Sequence, residues 1–179
     1  MGSKKSVNMP GERYIRSYFY KIDGKGLLYH DGTLQDDAKF LDFFFKRLKP
    51  NDTGENPDYP YISPCGKEMN FIRSEGAPFV FRKLNDQRKV LIFAASLEFN
   101  WRPEQLVFGS DGQLYHPAPF ELGRISPELL LEWQNYLDFD SSWKIRPEGP
   151  FASLSKTQIL SPMEEDLDKR MRLPEHFPA

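Results

Sequence analysis

Aromatic and polar positions alternate at the start of the chain, and the spacing then becomes helical. Residues 13–22 alternate with a period of two, which predicts a strand. Asp23-Gly24 is a turn signal, so residues 25–30 are expected to return as a second strand. Apolar residues then recur every three or four positions and predict an amphipathic helix that ends before Pro50. Its buried face would consist of Phe40, Leu41, Phe44, Phe45 and Leu48.

The middle of the chain returns to a strand-like pattern. Residues 69–73 predict a short strand, and residues 79–84 and 89–98 predict the two arms of a hairpin. The second arm is apolar on both faces over residues 90–95, which indicates a central position in its sheet.

A further hairpin and a second helix are predicted in the second half. Residues 106–108 and 113–116 flank the turn signal Asp111-Gly112, as the arms of a hairpin do. Ser126 is a favourable helix N-cap and Pro127 suits the first helical turn, so a helix is expected to begin there. Its buried face would consist of Leu129, Leu130, Trp133 and Leu137.

One short motif occurs in both halves of the chain. Residues 23–30 and 111–116 each begin with Asp-Gly and end with Leu-Tyr-His, and a predicted helix follows each of them. The same offset separates Tyr29 from Tyr115 and His30 from His116. The motif therefore predicts two copies of one hairpin-helix unit, with the two Tyr-His pairs in equivalent positions.

The predicted fold class is α+β, with two β-rich subdomains whose antiparallel sheets are each packed by one helix. The first subdomain would span residues 13–95 and the second residues 96–146. Residues 1–12 are predicted to be a disordered N-terminal tail, because they are polar and contain Gly and Pro. Residues 147–179 are predicted to be a mobile C-terminal tail.

Composition narrows the classes of function. The chain has 179 residues, of which 39% are hydrophobic and 15% aromatic, enough for a core and typical of a β-containing fold. A net charge of −2 argues against a nucleic-acid partner, which requires clustered Lys and Arg. The single cysteine excludes an internal disulfide, which suits an intracellular and most simply cytoplasmic protein.

The two histidines and the cysteine are the residues to consider for catalysis. If the two units face each other, His30 and His116 could bind a metal or transfer protons. No carboxylate stands at metal-ligand spacing from either histidine, so neither a metal site nor a cofactor is predicted. Lys67 could lower the pKa of the Cys65 thiol, but the sequence identifies no base for it, and a structural turn cysteine is the favoured interpretation.

A dense polar cluster surrounds the strand predicted at residues 69–73. It consists of Lys67, Glu68, Asn70 and Arg73. A charged side chain such as Arg73 on an otherwise apolar face must be satisfied by a carboxylate, a carbonyl or a ligand. The cluster is therefore either a structural ion pair, which is the more common case, or a site for an anion or a partner.

Several of these segments resemble a known family. Residues 43–51, 60–73, 78–81 and 114–119 carry motifs similar to those of the eukaryotic uncharacterised protein family 0598 (domain of unknown function 4505), and the likeness covers roughly residues 13–120. The resemblance implies no established activity. Some members of that family look mitochondrial, which implies a mitochondrial location as an alternative.

A more distant likeness is to a bacterial family, domain of unknown function 1285. In that family an Asp-Gly hairpin also precedes a helix, and a strand similar to Ala77-Pro78-Phe79-Val80 follows. This resemblance implies two β-rich subdomains built from a repeated motif, with a role in signalling or ligand sensing.

The leading hypothesis is a non-enzymatic binding or adaptor module for an unknown protein or small-molecule ligand. Its site would lie in the groove between the subdomains, among the residues Lys67, Glu68, Asn70, Arg73, Tyr29, His30, Tyr115 and His116. The alternative is a hydrolase-like enzyme, metal- or thiol-dependent, that uses His30, His116 or Cys65.

The N-terminus predicts a lipid modification that can be tested directly. Gly2 after Met1, with Ser6 four residues later, matches the N-myristoylation pattern, and Lys4 and Lys5 would support weak membrane association. Co-expression with an N-myristoyltransferase is therefore expected to add one acyl chain to the intact mass. An unchanged mass would exclude this modification.

Overall fold

The computed structural model describes residues 14–163, which form short strands and two helices. The helices are α1, Ala38–Lys46, and α2, Pro127–Glu132. The strands of the first half are β1 Arg16–Ile22, β2 Leu28–His30, β3 Thr33–Leu34, β4 Lys49–Pro50, β5 Tyr61–Cys65, β6 Glu68–Ser74, β7 Val80–Phe81, β8 Lys83–Asn85 and β9 Val90–Phe93. The strands of the second half are β10 Leu97–Asn100, β11 Val107–Phe108, β12 Leu114–Pro117, β13 Leu122–Ile125, β14 Leu137–Phe139, β15 Trp143–Ile145 and β16 Gln158–Leu160.

The largest sheet has six strands in the order β3-β2-β1-β6-β5-β4. β1 pairs in parallel with β6 over its whole length, and the other neighbours pair antiparallel. Successive side chains of a strand point to opposite faces. Tyr20 and Ile22 are therefore buried on the inner face, while Phe19 and Lys21 are exposed on the outer face.

Helix α1 covers the inner face of this sheet. Asp37 caps its N-terminus, because the Asp37 carboxylate accepts a hydrogen bond of 2.7 Å from the backbone N–H of Phe40. Phe44 and Phe45 are buried, and the Phe44 ring lies 4.9 Å from that of Tyr20. The Ser63 hydroxyl of β5 donates a hydrogen bond of 2.8 Å to the Phe44 carbonyl and thereby fixes the helix against the sheet.

Three smaller sheets complete the fold. One has the order β11-β12-β13-β7, in which β7 pairs in parallel with β13. The other two, β10-β9-β8 and β14-β15-β16, are antiparallel. The predicted α+β class with several antiparallel sheets is thus confirmed.

One large buried cluster connects the two halves of the described chain. One continuous cluster of buried side chains extends from Tyr20 in β1 to Phe151 near the C-terminal end. In the second half it is rich in large rings. The ring centroids of Trp101 and Trp133 lie 5.1 Å apart, and those of Trp133 and Phe151 are also 5.1 Å apart. The hydrophobic effect therefore stabilises both halves as one packed unit.

The predicted hairpin of residues 79–84 and 89–98 is confirmed where β8 pairs antiparallel with β9, but each of its arms is divided. The first arm divides into β7, which pairs with β13, and β8, which pairs with β9. The second arm divides into β9 and β10, because the chain turns at Ala94 with a positive φ of 51°. The Asp42 carboxylate of α1 accepts hydrogen bonds at this turn from the backbone N–H groups of Ala95 and Ser96 and from the Ser96 hydroxyl.

Part of the predicted C-terminal tail belongs to the fold. Phe151 is fully buried, and β16 pairs with β15, so two parts of residues 147–163 join the core and the sheet β14-β15-β16. The sequence pattern missed this because Pro, Gly and Ser surround the one large ring that enters the core. The predicted disordered tail of residues 1–12, the Gly2 modification and the remaining tail, residues 164–179, lie outside the described residues.

The two predicted hairpin-helix units have the same order of elements, but they pair differently with the other strands of their sheets. Strands β1-β2-β3 are followed by α1, and strands β11-β12-β13 are followed by α2. The first unit joins a parallel partner at its first strand, whereas the second joins one at its third strand. The internal repeat therefore stays a prediction. Within residues 14–163, no helix has the length and apolar character needed to cross a membrane.

Replacing Asp42 by alanine is expected to destabilise the protein. The pKa of Asp42 is lowered because the hydrogen bonds from Ser96 and Ala95 outweigh the opposing effect of partial burial. Loss of this carboxylate should reduce the free energy of unfolding by about 1–2 kcal/mol in urea titrations. Asp36→Ala, an exposed position just before the helix, is the matched control. Equal effects of the two substitutions would contradict the role of Asp42.

Candidate functional site

A cavity of about 470 Å³ opens on the outer face of the six-stranded sheet. Strands β1, β2 and β6, the β2–β3 turn and the segment before β5 contribute its walls. It is lined by Phe19, Tyr20, Lys21, Asp23, Tyr29, Asp31, Gly32, Tyr59 and Arg73. All of these residues belong to the first half of the chain, so the cavity does not lie at the expected boundary between residues 13–95 and 96–146.

Two basic side chains stand next to each other beside the cavity. Lys21 of β1 and Arg73 of β6 are direct partners in the parallel register, and Tyr29 of β2 is the partner of Lys21 on the other side. Lys21 forms an ion pair with Glu75, whose carboxylate also accepts a hydrogen bond from the Gly24 N–H. The hydrogen bonds from Lys21 and Gly24 lower the pKa of Glu75.

Arg73 lies against an aromatic ring instead. The centre of its guanidinium is 5.7 Å from the centroid of the Tyr59 ring, a cation–π distance. Within residues 14–163, no carboxylate lies at ion-pair distance from Arg73. Its positive charge is therefore held in position by an apolar ring and is not neutralised by an acid of the described chain.

Aromatic rings form the apolar part of the site. Phe19 is 40% exposed. The centroid of its ring lies 4.9 Å from that of Tyr59 and 5.7 Å from that of Phe71. Phe71 belongs to a small buried cluster with Ile62 and Met69, against which Tyr59 packs. This cluster supports the rings from below, so the exposed side of Phe19 forms a firm apolar surface.

Two acidic residues line the cavity: Asp23 is hydrogen-bonded within its own turn, and Asp31 is exposed to solvent. The Asp23 carboxylate accepts hydrogen bonds from the backbone N–H groups of Lys25 and Leu27, at 2.8 and 2.9 Å, and so fixes the turn after β1. Asp31 and Gly32 both have positive φ, 47° and 76°, as a two-residue turn between antiparallel strands requires. The Asp31 side chain is 87% exposed and lies 3.7 Å from the His30 imidazole.

The structure brings together only two of the predicted ligand-binding residues, Tyr29 and Arg73, at this cavity. His30 projects to the inner face, where its ring stacks on Tyr20 at 4.7 Å. Asn70 is buried, and its side-chain amide donates a hydrogen bond of 2.8 Å to the Ser63 carbonyl.

The other two members of the polar cluster lie at the opposite end of β6. Glu68 is 4.0 Å from Arg16, and Lys67 is exposed in the turn between β5 and β6. The expected cluster of four polar residues is therefore distributed over both faces and both ends of one strand.

His116 is completely buried among aromatic rings. Its neighbours are Phe81, Phe99 and Trp101, with ring centroids 5.3–6.0 Å away. The His116 Nε2 accepts a hydrogen bond of 3.2 Å from the Arg102 N–H, so the Nδ1 must carry the proton that it donates to the Pro117 carbonyl at 2.8 Å. Both nitrogens are thus used by the backbone, and burial lowers the pKa of His116 to about 4.

Tyr115 is buried beside a different partner. Its hydroxyl donates a hydrogen bond of 2.6 Å to the Asp111 carboxylate across the Asp-Gly turn. Burial, followed by the interaction with Asp111, raises the pKa of Tyr115. Tyr115 and His116 therefore maintain the turn and the core of the second half, and neither lines the cavity.

Cys65 is the last residue of β5, beside the turn at Gly66. It is half-buried and opposite Glu68 in the strand register. Across residues 14–163, no group of three or more His, Cys, Asp and Glu side chains has a geometry suited to a metal ion.

Sequence reasoning missed seven of the nine residues that line the cavity, among them Phe19, Lys21 and Tyr59. The alternation in residues 13–22 placed Phe19 and Lys21 on one face, which was a usable signal for the first two. Nothing in the polar segment before Pro60 indicated that Tyr59 folds back over β1 and β6.

An apolar groove in the second half is a separate feature. Its volume is about 390 Å³, and it lies between α2 and the β14–β15 hairpin. Leu131 and Phe139, which are 65% and 54% exposed, line it together with Pro127, Leu130, Gln134, Leu137 and Trp143.

Comparison with known proteins identifies relatives of this chain. A family model described as Domain of unknown function (DUF4505) matches residues 9–159, which confirms the first resemblance read from the sequence.

Crystal structures of two DUF1285 family proteins are also similar to this chain. The protein from Silicibacter pomeroyi DSS-3 is 14% identical, with a TM-score of 0.52, and the match covers 79% of this chain and 84% of that one. The protein from Shewanella baltica OS155 is 18% identical, with a TM-score of 0.49, over 66% of this chain and 91% of that one. The predicted distant likeness is thus confirmed, and at these identities it concerns the fold alone.

The burial of neutral His116 predicts a loss of stability on acidification. In the unfolded chain the imidazole takes up a proton near pH 6.5, whereas in the folded chain it does so only at a pKa of about 4. The unfolded state therefore binds more protons between these values, and the free energy of unfolding should fall by about 3 kcal/mol as the pH is lowered through this window.

Urea titrations from pH 7 to pH 4 test this, with His116→Gln as the variant that lacks the titration. His116→Gln is expected to be less stable at pH 7 and to lose less stability on acidification than the wild type. His30→Gln is the control, because His30 is only half-buried. Identical pH dependence of wild type and His116→Gln would contradict the assignment.

Proposed function

The chain belongs to the DUF4505 family, a domain of unknown function, and from this starting point we propose that it is a non-enzymatic binding module for a small ligand. Its site is the cavity on the outer face of the six-stranded sheet, with Phe19, Tyr59 and Arg73 as the main contacts. A signalling or adaptor role would follow from binding at this site.

The observation that carries the proposal is the combination of size and lining in one cavity. A volume of about 470 Å³ lies within the range of about 300–1,000 Å³ that is typical of small-molecule sites. Aromatic rings supply most of the apolar lining, and a few charged groups stand at its edge. This composition is typical of a pocket that binds a ligand through apolar contact and orients it through polar contact.

The proposed site differs from the groove between subdomains that the sequence pattern favoured. Tyr115 and His116 were expected there, but both are buried and hydrogen-bonded within the second half. Arg73 and Tyr29 are the candidates that carry over to the new location.

The finer architecture also remains part of the proposal. We propose that the units β1-β2-β3-α1 and β11-β12-β13-α2 derive from one duplicated motif, the centre of each of two β-rich subdomains. Their common order of elements and the Asp-Gly turn in each unit support this. The surroundings of the two units differ. The first unit lines the cavity, and the second contributes buried side chains to the core.

The alternative of a hydrolase-like enzyme depends on His30, His116 and Cys65. His30 stacks on Tyr20 on the inner face of the large sheet, and Cys65 ends β5, which lies between β6 and β4 of the same sheet. His116 lies in the aromatic core of the second half. No observation on the described residues favours this alternative over binding.

A fragment screen by NMR tests the proposal. A mixed library of neutral and charged aromatic fragments is expected to shift the backbone amide signals of residues 19–23, 29–32 and 73 in the ¹⁵N-labelled protein. Phe19→Ser should weaken binding, because it removes an exposed ring that lines the cavity.

Phe43→Ser is the matched control. Phe43 is 38% exposed, close to the 40% of Phe19, but it lies on α1 outside the cavity. The control should bind as the wild type does. The proposal would be wrong if no fragment shifted the cavity signals, or if all shifts were confined to the groove beside Leu131 and Phe139.

A further inference from the structure

The geometry points to a specific class of ligand: we infer that the cavity binds a small anion attached to a flat aromatic body. The anionic group would contact Arg73, and the aromatic body would lie against Phe19 and Tyr59. This inference rests on the proposed function and adds the chemistry that the site selects.

The positive charge of Arg73 is the first step of the argument. Lys21 and Arg73 are opposite each other on neighbouring strands, an arrangement in which like charges repel. Glu75 compensates Lys21 through its ion pair. Arg73 has no such partner among residues 14–163, so an anion beside it would complete the charge balance of the pair.

The acidic residues at the cavity do not take this place. The Asp23 carboxylate is engaged by two backbone N–H groups of its own turn. Asp31 is 87% exposed on the β2–β3 turn, and its carboxylate lies 3.7 Å from the His30 imidazole. Of the two cations that line the cavity, Lys21 is paired with Glu75, and Arg73 is the one that remains available to an anion.

The chemistry of arginine favours a carboxylate or a phosphate as the anionic group. The guanidinium is planar and can donate two parallel hydrogen bonds to two oxygens of one such group. The centre of the guanidinium lies 5.7 Å from the centroid of the Tyr59 ring, and this contact already restricts the Arg73 side chain in the free protein. Arg73 therefore loses less conformational entropy when it binds a ligand.

The rings beside Arg73 account for the flat body. Phe19 and Tyr59 lie 4.9 Å apart at a tilt of 55°, and Phe19 keeps 40% of its surface exposed. An aromatic ring that covers Phe19 would bury apolar surface while its anionic substituent reaches the neighbouring Arg73. An inorganic anion would contact Arg73 but would bury no apolar surface of Phe19.

Matched pairs of probes test the inference by isothermal titration calorimetry. Benzoate and benzamide differ in charge but not in ring, and adenosine monophosphate and adenosine differ in the phosphate. We expect one anion of these pairs to bind at least about 10-fold more tightly than its neutral counterpart, the effect of a charge-assisted contact. A preference in the first pair identifies a carboxylate ligand, and a preference in the second identifies a phosphate ligand.

Arg73→Gln is expected to abolish the preference for the anion, so that the charged and the neutral probe of each pair bind this variant about equally. Arg16→Gln is the matched control, because Arg16 is an exposed arginine of the same sheet that lies outside the cavity. It should retain the full preference. The comparison of charged and neutral probes on the wild type does not depend on any variant.

The outcomes separate this inference from the proposed function. Equal binding of charged and neutral probes, or a preference that survives Arg73→Gln, would overturn the anion assignment and leave the cavity as a binding site. Absence of binding by all four probes would also overturn it, while fragments that shift the cavity signals would still support the proposed function. A library that nowhere shifts those signals would remove the basis of both.

Discussion

The parallel pairing of β1 with β6 is the interaction on which the rest of the structure depends. It joins Arg16–Ile22 to Glu68–Ser74 in one continuous register of seven pairs. Because side chains alternate along a strand, this register determines which side chains face α1 and which face the cavity. A slip of one residue would expose Ile22 or Ile72 to water, and it would turn Lys21 or Arg73 toward α1, where the cost of a buried charge would exceed any gain.

The pairing is also the feature that sequence patterns could not provide. Local signals led to the right elements where the physical cause is local: the turn at Asp23-Gly24, the start of α2 at Ser126, and the amphipathic face of α1. The contact between β1 and β6 is made by segments about fifty residues apart, and alternation says nothing about which strand will be the neighbour. The division of residues 79–84 into two strands has the same origin, since β7 and β8 differ only in their distant partners.

The candidate site shows why identical short motifs can have different fates. The Leu-Tyr-His sequence occurs in β2 and in β12, and both strands follow an Asp-Gly turn. β2 lies near the edge of its sheet, beside the two-residue strand β3, and keeps Tyr29 and His30 partly exposed. In β12, His116 is covered by the rings of Phe81, Phe99 and Trp101, and Tyr115 is buried in a separate cluster with Ala77 and Leu122. Burial, which the motif does not encode, separates a cavity residue from a core residue.

The outer face of the large sheet can hold an arginine without an acidic partner in the described part of the chain, because Arg73 is exposed to water and the sheet is stabilised by apolar burial elsewhere. Ile62, Met69 and Phe71 are almost completely buried under Tyr59 on that face, and α1 covers the other. Apolar burial therefore fixes β5 and β6 without any contribution from the charge of Arg73. A position where local electrostatic complementarity is missing, within a sheet that is otherwise consistently packed, is where a ligand is expected to complete the structure. The same reasoning explains why His116, whose hydrogen bonds and ring contacts are complete, belongs to the architecture of the protein and not to its site.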